Sequence, residues 1–294
     1  MLPAELGGFS PDNKLKLRTI WLSDIHLGSN GCQVDFLLNF LRSTETKHLF
    51  LVGDIIDMWS MERNLYWPQK HNDAIRSFLG KAKHETRVVF IPGNHDEKLR
   101  EYCGLELGNI SVQEQAVHTL ANGKRMLMLH GDEFDGVIGA SRFLGKLGSL
   151  AYDVLLSMNK GFNRMRRHLG MGYWSLSAYL KLKVKNAVKF ISNFEDAVTR
   201  QANRQRVDGV ACGHIHHAEI APLNGLLYCN CGDWVESCTA LVETMEGTLA
   251  LLVWNDNPRV ARQFTTAQWA ELQQVSPASW PSEEGLGEPV GENA

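Results

Sequence analysis

Five times along this 294-residue chain an apolar run stops and hands over to Asp, Asn or His. Residues 17–22 lead into Ser23-Asp24-Ile25-His26, and 48–52 into Gly53-Asp54-Ile55-Ile56-Asp57. Residues 87–91 lead into Gly93-Asn94-His95-Asp96. A later run ends in His130-Gly131-Asp132, and 207–212 ends in Gly213-His214-Ile215-His216. Carboxylates, an amide oxygen and imidazoles, with no recurring thiol, form a donor set for Mn²⁺, Fe²⁺ or Zn²⁺. Seven donors, Asp24, His26, Asp54, Asn94, His130, His214 and His216, are too many for one ion with open positions. They suit two ions that share a bridging carboxylate. In Asp24-x-His26 and His214-x-His216, an extended backbone would point both side chains the same way. The pair could then serve one ion, or two neighbours about 3.5–4 Å apart. A single Asp-x-His is commonplace, whereas five such endings in order, each after a strand, are not.

The elements that would position these groups are legible from periodicity. LRTIWL (17–22), HLFLVG (48–53) and RVVFI (87–91) read as strands, with helices over 33–41 and 70–83. A short polar helix is expected at 96–102. Asn122-Gly123 centres a hairpin, as do Asn224-Gly225 and Glu246-Gly247 after 207. Strands alternating with helices predict a layered α/β fold, in which ligands gather outside the carboxyl ends of strands. From 136 to 206 no strand-like run occurs. Leu180, Val184, Val188 and Ile191 share one helix face, so this stretch reads as a helical insertion. The core is then 15–135 and 207–258. The Pro-, Gly- and Glu-rich residues 270–294 are expected to be disordered, with Trp269 and Trp280 the residues able to dock them.

Composition bounds the rest. The chain is 44% hydrophobic with a net charge of −3, enough to bury a sizeable core. The charge is uneven: between 141 and 206 stand 13 Lys and Arg against 3 Asp and Glu, elsewhere 17 against 30. A basic insertion on an acidic body should face something anionic, namely a phosphate-bearing ligand, a membrane surface or nucleic acid. No apolar run is long enough to span a membrane, and the N-terminal residues lack the shape of a signal peptide. The expected location is therefore the cytoplasm. The six cysteines match no zinc pattern and read as reduced core thiols, with Cys229 and Cys231 on one face of a strand.

Asp24-x-His26, Gly53-Asp54-x-x-Asp57, Gly93-Asn94-His95-Asp96, His130 and Gly213-His214-x-His216, in this order, resemble the calcineurin-like metallophosphoesterases over roughly 17–255. The layout is most similar to the UDP-2,3-diacylglucosamine pyrophosphohydrolases of lipid A synthesis, which also insert a helical cap before Gly-His-x-His. Gly232-Asp233-Trp234-Val235-Glu236 is similar to theirs as well. The chain departs at His95, where those enzymes carry Arg. The resemblance implies a four-layer fold of two mixed sheets packed as a sandwich and flanked by helices, with a cap insertion. It implies one metal on Asp24, His26, Asp54 and His216, and another on Asp54, Asn94, His130 and His214. The cofactors would be two divalent ions, Mn²⁺ first. His95 would act as general acid and Asp57 would orient it. Asp96 is expected to cap the following helix. Asp132 would support the ligands or form a turn.

Three functions compete. The first is a pyrophosphohydrolase of a lipid-linked nucleotide, such as UDP-2,3-diacylglucosamine, peripheral on the cytoplasmic membrane face. The second is a soluble phosphatase or phosphodiesterase gripping another polyanion, with nucleic acid the lesser partner. The third is a non-catalytic scaffold, for which retaining all seven ligands has no reason. The cap's Lys and Arg, alternating with Leu, Val, Tyr and Trp, suit acyl chains with anionic headgroups.

Overall fold

The structure, a computed structural model, describes residues 14–138 and 176–274, with side chains described for 14–136 and 189–272. Two β-sheets face each other. The larger has the order β13-β12-β11-β1-β2-β3-β5-β4 and the smaller β6-β7-β8-β10-β9. Its first three strands, β1 (Leu15–Leu22), β2 (Thr44–Val52) and β3 (Arg87–Ile91), run parallel in the middle of the large sheet. The remaining large-sheet strands are β4 (Glu106–Leu107), β5 (Ile110–Val112), β11 (Thr239–Glu243), β12 (Leu249–Val253) and β13 (Arg259–Phe264). The smaller sheet comprises β6 (Ala116–Thr119), β7 (Arg125–Met128), β8 (Gly209–Cys212), β9 (Glu219–Leu223) and β10 (Leu226–Asn230).

Period-two alternation decides which way each side chain goes. Along β2, Phe50 and Val52 face the other sheet, whereas Leu49 and Leu51 face outward against helices. Across the gap, Met126, Met128, Ala211, Leu227 and Cys229 fill the inter-sheet core. The helices Val34–Ser43 and Gln69–Lys83 cover the outer face of the large sheet through Leu37, Leu38, Leu41, Ala74 and Phe78. Phe194, Val198 and Ala202 of the helix Leu176–Arg204 cover the small sheet against Leu127, Val210 and Tyr228. The result is the expected four-layer sandwich. Each fully buried Leu, Ile or Phe favours it by about 1.5–3 kcal/mol.

Three expectations need correction. The core does not end at 258: β13 pairs with β12, and the helix Thr266–Gln274 follows. Trp269 on that helix is buried against Phe264, so the ordered chain runs past 270; residues 275–294 lie outside those described. Nor is 136–206 wholly apart from the core, because the C-terminal half of the helix Leu176–Arg204 is its fourth layer. Most of the expected cap, 139–175, lies outside the described residues. Within 58–112 the helix Gln69–Lys83, β3 and a short helix at Glu97–Tyr102 stand where expected, and other elements there had not been anticipated. The helix Met58–Arg63 and the short strands β4 and β5 carry too few periodic residues to be read from sequence.

Candidate metal centre

β1, β2 and β3 are parallel, as are β7 and β8, so five carboxyl ends meet at one rim of the sandwich. Backbone hydrogen bonds stitch the loops together. Asp24 N donates to Gly53 O (3.0 Å), His26 N to Asp54 O (2.9 Å) and Gly213 N to His130 O (3.2 Å). The backbone there is not extended. Asp24, His26, Asp54, His214 and His216 all have left-handed φ, between 51° and 71°. Such backbone costs about 1–3 kcal/mol per residue unless its surroundings hold it. The paired side chains therefore converge through tight turns, not through strand pleating. Two glycines of the motifs make room. A Cβ on Gly53 would lie 2.0 Å from His130 Nδ1, and one on Gly93 would lie 2.4 Å from Asp54 Oδ1.

Asp54 is central. Its Oδ2 stands 3.4 Å from His130 Nε2, 3.9 Å from His95 Nε2 and 4.0 Å from His26 Nε2. Its Oδ1 accepts from the backbone N–H of His95 at 2.7 Å. Three sets of side chains bring possible ligand atoms within 4.8 Å of one another: Asp24, His26 and His216; His26, Asp54 and His95; Asp24, Asp54 and His130. Four buried atoms in the cluster have no hydrogen bond: Asp24 Oδ1, His26 Nε2, Asn94 Oδ1 and His130 Nε2. Buried polar atoms are nearly always bonded, so four such atoms together mark a place for a cation. Their chemistry, two imidazole nitrogens and two oxygens, fits a divalent transition ion.

The outward side of each ring is held. His130 Nδ1 lies 3.1 Å from Val52 O, and a carbonyl only accepts, so Nδ1 carries the proton and Nε2 presents its lone pair. Asp57 sits 2.8 Å from His95 Nδ1 and 3.3 Å from His26 Nδ1. It also caps the helix Met58–Arg63 by accepting from Ser60 N. One carboxylate thus orients both a candidate ligand and the candidate acid. His214 stands apart from the three sets: its Nε2 is 2.7 Å from Asp135 Oδ1, which leaves Nδ1 as its free atom. Its ring lies 5.2 Å from that of His130. Asp135 went unread in the sequence because nothing in its spacing links it to a histidine 79 residues away.

Electrostatics follow from this crowding. Burial pushes Asp54 and Asp57 up, yet the imidazoles around them outweigh it and hold both well below the usual carboxylate range. Burial would lower His130 and His216, but the Asp54 and Asp24 charges win. His130 is raised well above its ordinary value, and His216 to about 9. Asp96 differs from its neighbours, since burial and the Asp54 charge lift it to about 6. It does not cap the helix after it. Its carboxylate accepts from Gly93 N, Ile55 N and Ile56 N, tying the β2 and β3 loops together. Asp132 pairs with Arg100 at 2.7 and 2.8 Å. Of the histidines outside the strand ends, His71 accepts from Gly28 N, and His48 is half-buried beside His118.

A model of the calcineurin-like phosphoesterase family matches residues 17–218, and the chain belongs to that family. Its curated relatives include the UDP-2,3-diacylglucosamine hydrolase of Blochmanniella pennsylvanica (strain BPEN). That protein is 28% identical over 116 residues, which are 38% of this chain and 46% of the relative. The enzyme of the same name from Blochmanniella floridana is 26% identical over 118 residues, again 38% and 46%. The chain spans about half the length of these curated relatives. Among solved structures, Vacuolar Protein Sorting 29 from Cryptosporidium parvum aligns with 84% of this chain and 97% of its own, at 13% identity and a TM-score of 0.43.

Proposed function

We propose that the chain is a dinuclear-metal phosphoester hydrolase. The supporting observation is the set of four unbonded buried donors around Asp54. In this reading Asp24, His26, Asp54 and His216 hold one ion. Asp54, Asn94, His130 and His214, the last through Nδ1, hold the other. When bound, the ions neutralise phosphate oxygens and acidify a water molecule so that hydroxide is available near neutral pH. The chain does the rest. Val52 O fixes the His130 tautomer, and Asp135 does the same for His214. Asp57 holds His95 through Nδ1, and as an imidazolium the ring would give its Nε2 proton to the departing oxygen.

The substrate we propose is UDP-2,3-diacylglucosamine or a similar lipid-linked nucleotide, cleaved to UMP and a lipid phosphate at the cytoplasmic membrane face. The names of the two curated relatives and the basic, apolar stretch 136–206 support this choice. No helix among the described residues is long and apolar enough to cross a membrane, so the contact would be peripheral. His95, in place of the Arg of the lipid A enzymes, favours a second reading in which the phosphorylated substrate is another small molecule.

The test is turnover of bis(p-nitrophenyl) phosphate and of UDP-2,3-diacylglucosamine with Mn²⁺. Cleavage of both supports the first reading, and cleavage of the diester alone supports the second. Mn²⁺ bound with neither substrate cleaved would leave a scaffold.

A further inference from the structure

The ring of His95 is gripped from several directions. Asp57 Oδ1 meets its Nδ1 at 2.8 Å, and the His26 ring stands at right angles to it, 4.7 Å away between centroids. The indole of Trp59 lies closer still, at 4.4 Å and tilted by 36°. Trp59 is the second residue of the helix Met58–Arg63, and the main chain sets that helix against His95: Met58 N donates to His95 O at 3.2 Å. The cap of the helix is Asp57, which accepts from Ser60 N and Ser60 Oγ with the same carboxylate that meets His95. Cap, helix start and imidazole are thus one unit, and the indole is carried against the ring.

What the indole adds is separable from what Asp57 adds. A hydrogen bond at Nδ1 fixes one atom of the imidazole, and the ring can still swing about it. Burial does not stop the swing, because the His95 side chain keeps 21% of its surface exposed. A planar neighbour packed against the ring does, since tilting the imidazole drives it into the indole. The atom whose direction depends on that restraint is Nε2, at the far end of the ring. It faces the rim, 3.9 Å from Asp54 Oδ2. Proton donation needs a reach of about 2.6–3.2 Å. A misplacement of about 1 Å costs up to about 100-fold in rate.

We propose that Trp59 is a positioning residue for the general acid: its indole holds the plane of His95 so that Nε2 meets the departing oxygen. The inference rests on the hydrolase reading and deepens it. In the step, the oxygen of water bonds to phosphorus and the P–O bond to the departing group breaks. The departing oxygen keeps the bonding pair and takes the Nε2 proton, which leaves the imidazole neutral. Trp59 exchanges no proton and acts through the ring it packs on. Its contribution should therefore grow with the basicity of the departing oxygen, because a weakly basic oxygen leaves without the proton.

The experiment measures kcat of the Mn²⁺-loaded full chain on bis(p-nitrophenyl), bis(p-chlorophenyl) and diphenyl phosphate, whose departing oxygens are successively more basic. Trp59→Ala and Trp59→Leu should lose about tenfold on diphenyl phosphate and at most about threefold on the nitrophenyl ester, with KM and Mn²⁺ affinity within about twofold of wild type. Trp59→Phe, which keeps a planar ring, should recover most of the loss. In a His95→Ala background, Trp59→Leu should cost nothing further, as expected of residues that act as a unit. An equal loss on all the esters, the same loss without His95, or no loss at all overturns the role. A wild type that cleaves the nitrophenyl ester alone has no working acid and overturns it too. Trp59 is half-buried, so thermal midpoints check folding; should Trp59→Ala unfold, the Trp59→Leu and Trp59→Phe pair carries the test. Turnover of the series with an unaltered dependence on the departing oxygen sinks the positioning role alone. No Mn²⁺ binding and no turnover sinks the hydrolase reading and the role with it.

Discussion

Among the described residues two buried clusters of histidine and carboxylate are built on opposite terms. In the first, between the sheets, His118 Nε2 lies 3.0 Å from Thr19 Oγ1, and Thr19 donates to Glu243 Oε2 at 2.7 Å. A hydroxyl has one proton, so Thr19 must accept from His118 and the ring nitrogen is a donor. Glu243 Oε1 takes the Ala121 N–H at 2.6 Å, and Arg18 Nε stands 3.5 Å from Oε2. Both carboxylate oxygens and the ring nitrogen are thus engaged. In the second, at the rim, four donor atoms are left unbonded and five residues hold left-handed backbone. The same residue types serve as a bolt in one place and as a socket in the other. What separates them is whether the carboxylate and imidazole valences close within the chain; in the first only Arg18 Nε, 3.5 Å from Glu243, is left without a hydrogen bond.

The sharpest break of this comparison is at Asp54. Asp54→Asn removes the charge that three imidazoles face. It should abolish Mn²⁺ binding at both positions and cut turnover by more than about 100-fold, as loss of a ligand does. Metal analysis after dialysis reads the first effect and steady-state kinetics the second; full Mn²⁺ occupancy would show that Asp54 is no bridge. Next comes His95→Ala, which should keep both ions and lower kcat by about 10²–10⁴-fold. An emptied site in that variant would make His95 a ligand, an arrangement its grouping with His26 and Asp54 leaves open.

Glu243→Ala sharpens the other half. It strips Thr19 Oγ1 and the Ala121 N–H of their acceptor and Arg18 of its counter-charge in a fully buried place, at a cost of about 3 kcal/mol in chemical denaturation. Mn²⁺ affinity should not change, because no Glu243 atom reaches the rim residues. Asp135→Asn should do the reverse. Stability changes little, while Mn²⁺ affinity falls by about 10–100-fold as His214 loses its orienting partner. A stability loss without a metal effect would move Asp135 into the first class.

How far the sequence could see follows the same division. Asp24, His26, Asp54, Asn94, His130 and His216 were legible because each follows an apolar strand directly, and parallel strands carry their ends to one rim. Asp57 was legible as the partner of His95 because both follow neighbouring strands. The left-handed turns were not: φ at Asp24 and His26 goes with hydrogen bonds to the β2 loop, distant in sequence. Asp96 was misread as a cap because two of its partners, Ile55 N and Ile56 N, lie 41 and 40 residues earlier. The His118 and Glu243 bolt went unread since a buried Glu at a strand end has no periodic signature. Strand positions came through to within a few residues where the apolar run was continuous, as at β3, and failed at β4 and β13, where exposed residues dominate.

The mildest test of the comparison is pH. At the rim, burial would lower His216, but Asp24 raises it from 6.5 to about 9. A raised folded-state value means that this imidazolium supports the metal-free fold fully below 6.5 and ceases to as pH climbs through about 9. A divalent ion needs the same nitrogen unprotonated, so Mn²⁺ should add progressively more to the thermal midpoint across that window. His216→Ala should flatten the rise. Between the sheets the sign reverses. Burial, then His118 and Arg18, lower His48 from 6.5 to about 4, so the folded state resists its protonation. Stability is lost there as pH falls from 6.5 toward 4, and the loss is modest because half-exposure screens the charges. His48→Gln should reduce that acid-side loss and leave the Mn²⁺ increment unchanged. A changed increment would mean that the two clusters are linked through β2, and that the bolt is part of the socket.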